Sequence, residues 1–168
     1  MSHSHSHSRS IVVNFAVVTV SDTRSYENDD SGKLIKEKLT EANHNIGNYC
    51  LITDDPEKIQ ETIEKLGNDD SIQAIVITGG TGVSPRDNTP DVVERIIDKE
   101  LKGFGEMFRF LSYQEIGARA IASRSMGGVY RRKLIFALPG SKNAVKLALD
   151  KLIIPEISHL VTLANPTN

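Results

Sequence analysis

A short apolar run that leads directly into a glycine-rich loop is the feature that most constrains the fold of this chain. Residues 74–77 (AIVI) are uninterrupted and mostly β-branched, which is typical of a parallel strand buried on both faces. Gly79, Gly80 and Gly82 follow almost at once. They allow a tight turn and leave no side chain between the backbone and a ligand.

A helix is predicted to start at the far end of this loop. Thr89 is placed as its N-cap, Pro90 at its first position and Asp91 in its first turn, all of which are favoured there. The loop is therefore expected at the carboxyl end of a strand, where open α/β sheets bind ligands.

Strand and helix patterns alternate along the rest of the chain. Strands are predicted within residues 11–20 and at 49–52, 74–77, 127–130 and 133–138. Helices are predicted over residues 32–42, from Pro56, from Thr89, from Met107, and over residues 144–163 with a break near Pro155. This alternation indicates an α/β fold, a three-layer α/β/α sandwich with a mostly parallel central sheet.

Composition agrees with one domain over residues 11–168. A length of 168 residues with 39% hydrophobic residues supports one sizeable core. A net charge of -2 gives no overall field that would attract nucleic acid or a membrane surface. No apolar run approaches the roughly 20 residues that span a bilayer. The single cysteine, Cys50, excludes an intrachain disulfide, so the expected location is a reducing cytoplasm.

The first ten residues alternate serine with His3, His5 and His7. Imidazoles bind transition metals, but nothing nearby would fix the geometry of such ligands. A disordered His/Ser-rich tail over residues 1–10 is the favoured interpretation.

Two common phosphate fingerprints are absent from the glycine loop. The dinucleotide pattern G-x-G-x-x-G requires glycine where Pro85 stands, and the P-loop pattern requires Gly-Lys-Ser/Thr. The loop still offers backbone N–H groups ahead of a helix start, which suits a phosphate. Residues 139–143 (PGSKN) form a second strand-to-helix turn, and two anion sites suit a ligand with two phosphorylated parts. Alternatively, both glycine turns serve only to reverse the chain.

Two aspartates are candidate Mg²⁺ ligands beside these turns, because Mg²⁺ prefers one or two carboxylates plus phosphate oxygens. Asp87 lies within the glycine loop, and its alternative role is to begin the helix or to pair with Arg86. Asp54 ends the second strand, and its alternative role is to cap the next helix, for which Asp55 competes.

The chain lacks a motif for nucleophilic catalysis by a side chain. Outside the first ten residues, the only histidines are His44 and His159, and the only thiol is Cys50. None lies in a pattern that pairs a nucleophile with a base. A reaction carried by the phosphates of the substrates needs none of them.

An ordered set of motifs resembles the molybdopterin-binding MoaB/Mog family. The set consists of residues 20–24 (VSDTR), 30–32 (DSG), 79–82 (GGTG), 86–90 (RDNTP), 103–106 (GFGE), 111–117 (LSYQEIG) and 138–141 (LPGS). The segment LSYQEIG is most similar to the MoaB branch. Asn88 and Lys142 depart from the usual pattern, which has an apolar residue and a proline at these positions.

The resemblance implies an adenylyltransferase in molybdenum cofactor biosynthesis, with molybdopterin as substrate, ATP as co-substrate and Mg²⁺ as cofactor. It implies catalytic and metal-binding roles for Asp87 and Asp54. The implied substrate-binding residues are Ser21, Asp22, Gly79, Gly80, Thr81, Gly82, Ser84, Thr89, Glu106, Pro139, Gly140, Ser141 and Asn143. Glu106 has helix capping as an alternative role.

Two other functions remain open at this point. A non-catalytic molybdopterin-binding or assembly protein of the same pathway would bind the pterin without releasing pyrophosphate. A CinA-like protein acting on another nucleotide is disfavoured by the short chain and by LSYQEIG. The resemblance also implies a homo-oligomer, with a hexamer favoured over a trimer. The cluster Phe104, Phe108, Phe110 and Tyr113 would pack in the core or form a subunit contact.

Overall fold

The structure, a computed structural model, describes residues 10–166. The predicted tail over residues 1–10 therefore lies, apart from Ser10, outside the described residues. No helix in the described part of the chain is long and apolar enough to cross a bilayer.

Strands and helices alternate as the sequence pattern predicts. The strands are β1 Asn14–Val20, β2 Asn45–Ile52, β3 Ala74–Thr78, β4 Lys99–Glu100, β5 Met126–Tyr130 and β6 Lys133–Leu138. The α-helices are α1 Asp30–Glu41, α2 Pro56–Gly67, α3 Thr89–Ile96, α4 Lys102–Ile116, α5 Lys142–Ala148 and α6 Ile154–Ala164. A 3₁₀ segment, Gly117–Ala122, follows α4, and a π-helical segment, Leu149–Ile153, joins α5 to α6.

All six strands belong to one sheet in the order β2-β1-β3-β6-β5-β4. The first four are parallel, whereas β5 and β4 are each antiparallel to their neighbour. Alternate residues of β1 face opposite sides: Phe15 and Val17 pack with α1 and with α4 to α6, whereas Ala16 and Val18 pack with α2 and α3. The predicted three-layer α/β/α architecture is confirmed.

Some predicted boundaries are wrong, each for a visible reason. β2 begins at Asn45 rather than at residue 49, because it is an edge strand whose first half carries polar residues. β4 was not predicted, since its two residues, Lys99 and Glu100, are exposed and charged. α4 begins at Lys102, five residues before the predicted start at Met107, despite the two glycines in its first turns. The predicted break near Pro155 is confirmed as the π-helical segment ahead of α6.

The strand order creates a crevice at the carboxyl edge of the sheet. β1 is followed by α1 on one face, while its neighbour β3 is followed by α3 on the other. The loops after β1 and β3 therefore diverge, and open α/β sheets bind ligands at such a switch point.

His44 generates a prediction about the dependence of stability on pH. Its buried ring accepts a hydrogen bond at Nδ1 from the Val13 N–H at 3.1 Å and contacts Phe15 edge-on. Burial lowers the pKa of His44 below its usual value of about 6.5. The unfolded chain therefore binds the proton more readily, and the stabilisation is complete above that value and declines as the pH falls below it.

We expect His44→Asn, which retains an acceptor near Nδ1 but cannot be protonated, to lose part of the fall in unfolding free energy between pH 7 and pH 5. Urea unfolding across this range measures it. His159→Asn is the matched control, because His159 is exposed beside Glu156. An unchanged pH dependence in His44→Asn would contradict the prediction.

Candidate active site

Four loops meet at the carboxyl edge of the sheet, after β1, β2, β3 and β6. The loop after β3, residues 79–88, lies at the centre because β3 is between β1 and β6. We call it the glycine loop.

Two glycines at its start adopt backbone conformations that other residues rarely adopt. Gly79 has φ +100°, and a Cβ there would lie 2.2 Å from the Val20 carbonyl oxygen. Gly80 has φ +67°, and a Cβ there would lie 2.6 Å from the Thr89 hydroxyl oxygen. Glycine is required at both positions, so that the loop can turn sharply against the end of β1.

The other end of the loop is tied back to this turn. The Thr89 hydroxyl donates to the Gly79 carbonyl at 2.9 Å, and the Thr89 N–H donates to the Gly80 carbonyl at 3.1 Å. Thr89 is consequently the first residue of α3 rather than its N-cap. Asn88 holds the cap position and makes no side-chain capping bond.

Four successive peptide N–H groups in the glycine loop are free of acceptors in the part of the chain that the structure describes. Within residues 10–166, no oxygen accepts a hydrogen bond from the N–H of Gly80, Thr81, Gly82 or Val83. A row of free backbone donors ahead of a helix start favours an anion.

Asp54 lies against one side of this loop. Asp55 caps α2 by accepting from the N–H groups of Glu57 and Lys58, so Asp54 is not the cap. Its Oδ1 instead accepts from the backbone N–H and the side-chain amide of Asn88, at 3.3 and 3.1 Å.

Burial is the main influence on the pKa of this carboxyl. Asp54 is 8% exposed. Burial raises its pKa, the hydrogen bonds from Asn88 lower it, and the charges of Asp87 and Asp22 raise it further. A cation placed here would offset the cost of burying the charged carboxylate and its repulsion by Asp87 and Asp22.

Asp87 lies near the end of the loop and turns its carboxylate back toward Gly82. Its Oδ2 accepts from the Ser84 N–H at 2.9 Å and would lie 2.8 Å from a Cβ on Gly82. Arg86 pairs with Asp22 rather than with Asp87: its Nη2 is 2.5 Å from Asp22 Oδ2. Asp22 also accepts from the Asp54 N–H at 3.0 Å, so this carboxylate joins three of the four loops.

The carboxylates of Asp54 and Asp87 are suitable ligands for a divalent cation. Asp54 lies beside Gly80 and Asp87 beside Gly82, so the two carboxylates flank the row of free N–H groups. No group of three or more metal-ligating His, Cys, Asp or Glu residues occurs between residues 10 and 166. Two carboxylates completed by phosphate oxygens and water are typical of Mg²⁺ rather than of an all-protein metal cage.

The turn after β6 closes the crevice. Gly140 packs against Gly79, since a Cβ on Gly140 would lie 3.6 Å from Gly79 Cα. The Gly140 carbonyl accepts from the Ser31 hydroxyl at 2.6 Å. A cavity of about 150 Å³ remains between these glycines, Ser21 and Arg24.

Several predicted hydroxyl ligands also make internal hydrogen bonds. Ser141 caps α5 by accepting from the Ala144 N–H, and Ser21 accepts from the N–H groups of Thr23 and Arg24.

Comparison with known proteins identifies the family. Residues 16–159 match the family model described as "Probable molybdopterin binding domain". The chain belongs to this family. It is 46% identical over 151 residues to molybdenum cofactor biosynthesis protein B of Bacillus subtilis (strain 168), covering 89% of both chains.

Solved structures show the same fold for this molybdopterin-binding-domain family member. A crystal structure of a molybdenum cofactor biosynthesis protein B matches with a TM-score of 0.91 and 42% identity, covering 94% of this chain and 99% of the other. The tungsten cofactor synthesizing protein MoaB from Pyrococcus furiosus matches with a TM-score of 0.84 and 34% identity, over 91% and 97% of the two chains. The chain is thus a member of a molybdenum cofactor biosynthesis family.

The structure brings most of the predicted site residues of this family member to one edge. They are Ser21, Asp22, Asp54, Gly79, Gly80, Thr81, Gly82, Ser84, Asp87, Thr89, Pro139, Gly140 and Ser141. Asn143 lies in the first turn of α5, exposed beside Glu115, Lys146 and Asp150. Glu106 is exposed on α4, and no described residue forms a hydrogen bond or ion pair with it. Their substrate-binding roles stay predictions.

Sequence reasoning missed Arg124. It follows the 3₁₀ segment and donates to the Gly82 and Asp87 carbonyls of the glycine loop. No motif marks it, and at least 37 residues separate it from either contact, so only the folded chain reveals it.

Asp54 should oppose stability in the absence of a cation. Folding raises the pKa of this carboxyl. It therefore lowers the free energy of unfolding as the pH rises above about 3.9, the pKa of an aspartate in the unfolded chain. Asp54→Asn keeps an acceptor for Asn88 and removes the charge. We expect it to raise the free energy of unfolding at pH 7 by roughly 0.5–2 kcal/mol, measured by urea unfolding without divalent cations. Asp55→Asn, which keeps the α2 cap, should change little. A less stable Asp54→Asn would contradict this account.

Proposed function

We propose that this chain binds molybdopterin and transfers an adenylyl group to it from Mg-ATP. An oxygen of the terminal molybdopterin phosphate forms a bond to the α-phosphorus of ATP. The bond from that phosphorus to the bridging β-oxygen breaks, and pyrophosphate leaves. Adenylylated molybdopterin would then be ready for metal insertion.

The observation that carries the proposal is the row of free N–H groups between two carboxylates. Gly80 to Val83 offer donors for phosphate oxygens, while Asp54 and Asp87 flank them. Phosphoryl and nucleotidyl transfer depend mainly on positioning and on stabilising charge, and this loop supplies both without a nucleophilic side chain. The rigid turn at Gly79 and Gly80 holds the donors in place before substrate binds.

Asp54 and Asp87 are the residues that would hold Mg²⁺. When bound, Mg²⁺ neutralises phosphate charge that develops during transfer. Asn88 orients Asp54 through two hydrogen bonds, and Ser84 orients Asp87 through its N–H. Asp22 holds the backbone of Asp54 and pairs with Arg86, which keeps the loops after β1, β2 and β3 together.

The cavity beside Gly140 suits a small anionic group. Its volume of about 150 Å³ is below the roughly 300–1,000 Å³ of a whole-ligand site, but a terminal phosphate needs less space. The Arg24 guanidinium lies at its wall, 3.4 Å from the Gly140 carbonyl oxygen and 3.8 Å from the buried Asp29 carboxylate. We assign the molybdopterin phosphate to this cavity and the nucleotide phosphates to the glycine loop.

The test is to incubate the protein with molybdopterin, ATP and Mg²⁺, and to look for adenylylated pterin by mass spectrometry alongside pyrophosphate release. Product that depends on all three components supports adenylyl transfer. Tight pterin binding without product would replace it with the second function, a non-catalytic molybdopterin-binding protein.

Asp87→Asn provides a sharper prediction. The amide oxygen can still accept from the Ser84 N–H, so the loop should keep its shape, but the charge is lost. Metal stabilisation of a transferring phosphate contributes several kcal/mol. We therefore expect the rate at which adenylylated product forms to fall by a factor of about 100 or more. Molybdopterin affinity, followed by fluorescence, should change little. Asp70→Asn, at an exposed position, is the control. Wild-type turnover in Asp87→Asn would remove Asp87 from the metal site.

We also propose that copies of the chain associate through α4. Met107, Phe110 and Tyr113 are spaced along one face of this helix and are 56%, 64% and 61% exposed, whereas Phe108 is buried. Ile116 and Ile121 extend the exposed apolar surface toward the 3₁₀ segment. Apolar side chains grouped on one helix face mark an interaction surface, and the assembly that we propose is a homo-oligomer, with a hexamer favoured over a trimer.

Phe110→Glu should convert this oligomer to a smaller species, because a charge in an apolar contact loses its hydration without a partner. Sedimentation velocity would measure the change. Thr40→Glu, at an exposed position near the end of α1, is the control for added charge. An unaltered sedimentation coefficient in Phe110→Glu would exclude this surface.

A further inference from the structure

Arg124 contacts the glycine loop at several points along its length. Its backbone N–H donates to the Thr81 carbonyl at 3.0 Å, and its Nε donates to the Gly82 carbonyl at 2.7 Å. Its Nη2 donates to the Asp87 carbonyl at 2.8 Å. Both ends of the loop are therefore held by one residue.

The remaining guanidinium nitrogen anchors Arg124 to the helix behind the loop. Nη1 lies 3.0 Å from each carboxylate oxygen of Asp91, in the first turn of α3. All three guanidinium nitrogens are thus engaged. A lysine has a single nitrogen and cannot reproduce these three directions.

The contacts to carbonyl oxygens determine where the loop N–H groups point. In a planar trans peptide, the carbonyl and the N–H of the next residue point in opposite directions. Because Arg124 holds the carbonyls of Thr81 and Gly82, the N–H groups of Gly82 and Val83 face away from it. Neither N–H has an acceptor within residues 10–166.

The third peptide shows what lies on that opposite side. Arg124 holds the Asp87 carbonyl, and the N–H of the same peptide, on Asn88, donates to Asp54 Oδ1. In this peptide, the side opposite Arg124 is the side occupied by the candidate metal ligand.

We propose that Arg124 is a positioning residue that turns the carbonyl oxygens of the glycine loop inward, so that its N–H groups face a bound phosphate. Without its side chain, the Gly82 carbonyl would be free to rotate toward the anion and repel it, whereas the backbone N–H of residue 124 would still hold the Thr81 carbonyl. This rests on the proposed function only in assigning phosphate to the loop; adenylyl transfer itself is not required.

The test is calorimetric titration with inorganic pyrophosphate in magnesium-free buffer, so that Asp54 and Asp87 cannot contribute through a metal. Arg124→Met keeps an unbranched apolar stem but removes the guanidinium group and with it every side-chain donor. We expect pyrophosphate affinity to fall by a factor of about ten or more. Losses of this size follow when a residue that orients a metal ligand is removed. Arg124→Lys should recover only part of the affinity.

The matched control is Arg95→Met. Arg95 lies on α3, near Asp91, and within residues 10–166 its side chain forms a hydrogen bond only with Gln60 Oε1, at 3.5 Å. The Arg95→Met substitution removes the same charge from the same region without touching the loop. The pyrophosphate affinity of this variant should stay within about twofold of wild type, as expected for an exposed charge. An equal loss in Arg95→Met would show that net charge, not loop orientation, determines binding.

A positioning role also predicts chemical rescue. Methylguanidinium added to Arg124→Ala should restore pyrophosphate binding, which a general loss of folding would not allow. If Arg124→Met binds pyrophosphate as wild type does, or if wild type does not bind it, the proposal is wrong. If wild type makes no adenylylated pterin but Arg124→Met still loses pyrophosphate affinity, adenylyl transfer fails and the role of Arg124 stands.

Discussion

The close approach of Gly79 to the end of β1 organises the whole carboxyl edge of the sheet. No side chain fits there, because a Cβ would lie 2.2 Å from the Val20 carbonyl oxygen. The same residue donates its N–H to the Leu138 carbonyl and accepts from the Thr89 hydroxyl. One glycine thus joins the ends of β1, β3 and β6 to the start of α3, and the donors of the glycine loop depend on this junction.

Electrostatics at this edge favour function over stability. Burial raises the pKa of Asp54, and the nearby charges of Asp87 and Asp22 raise it further. Arg86 neutralises Asp22, but no described arginine or lysine pairs with Asp54. A site that combines free N–H donors with under-compensated carboxylates suits a ligand that brings both phosphate and a divalent cation. The cost in stability is the usual consequence of preorganising charge.

Much of the fold was predictable from local pattern, and the site only partly. The run from β3 through the glycine loop to α3 was placed correctly to within a residue, because each step depends on near neighbours. The sequence left open which of Asp54 and Asp55 caps α2. The structure shows that Asp55 is the cap. Thr89 was misplaced as the cap because its hydroxyl bonds to Gly79, ten residues away. β4 carried no signal, since its two exposed residues have no apolar alternation.

By itself, the sequence determined the three-layer architecture, the glycine loop after a buried strand, and the family through its ordered motifs. These features follow from periodicity and from backbone conformations that particular residues demand, both of which are local. Only the tertiary structure decided that Asp54 and Asp87 flank one loop, that Arg86 pairs with Asp22, and that Arg124 holds the loop carbonyls. These contacts join segments that are distant along the chain, and the packing of the sheet and helices alone sets which polar groups meet.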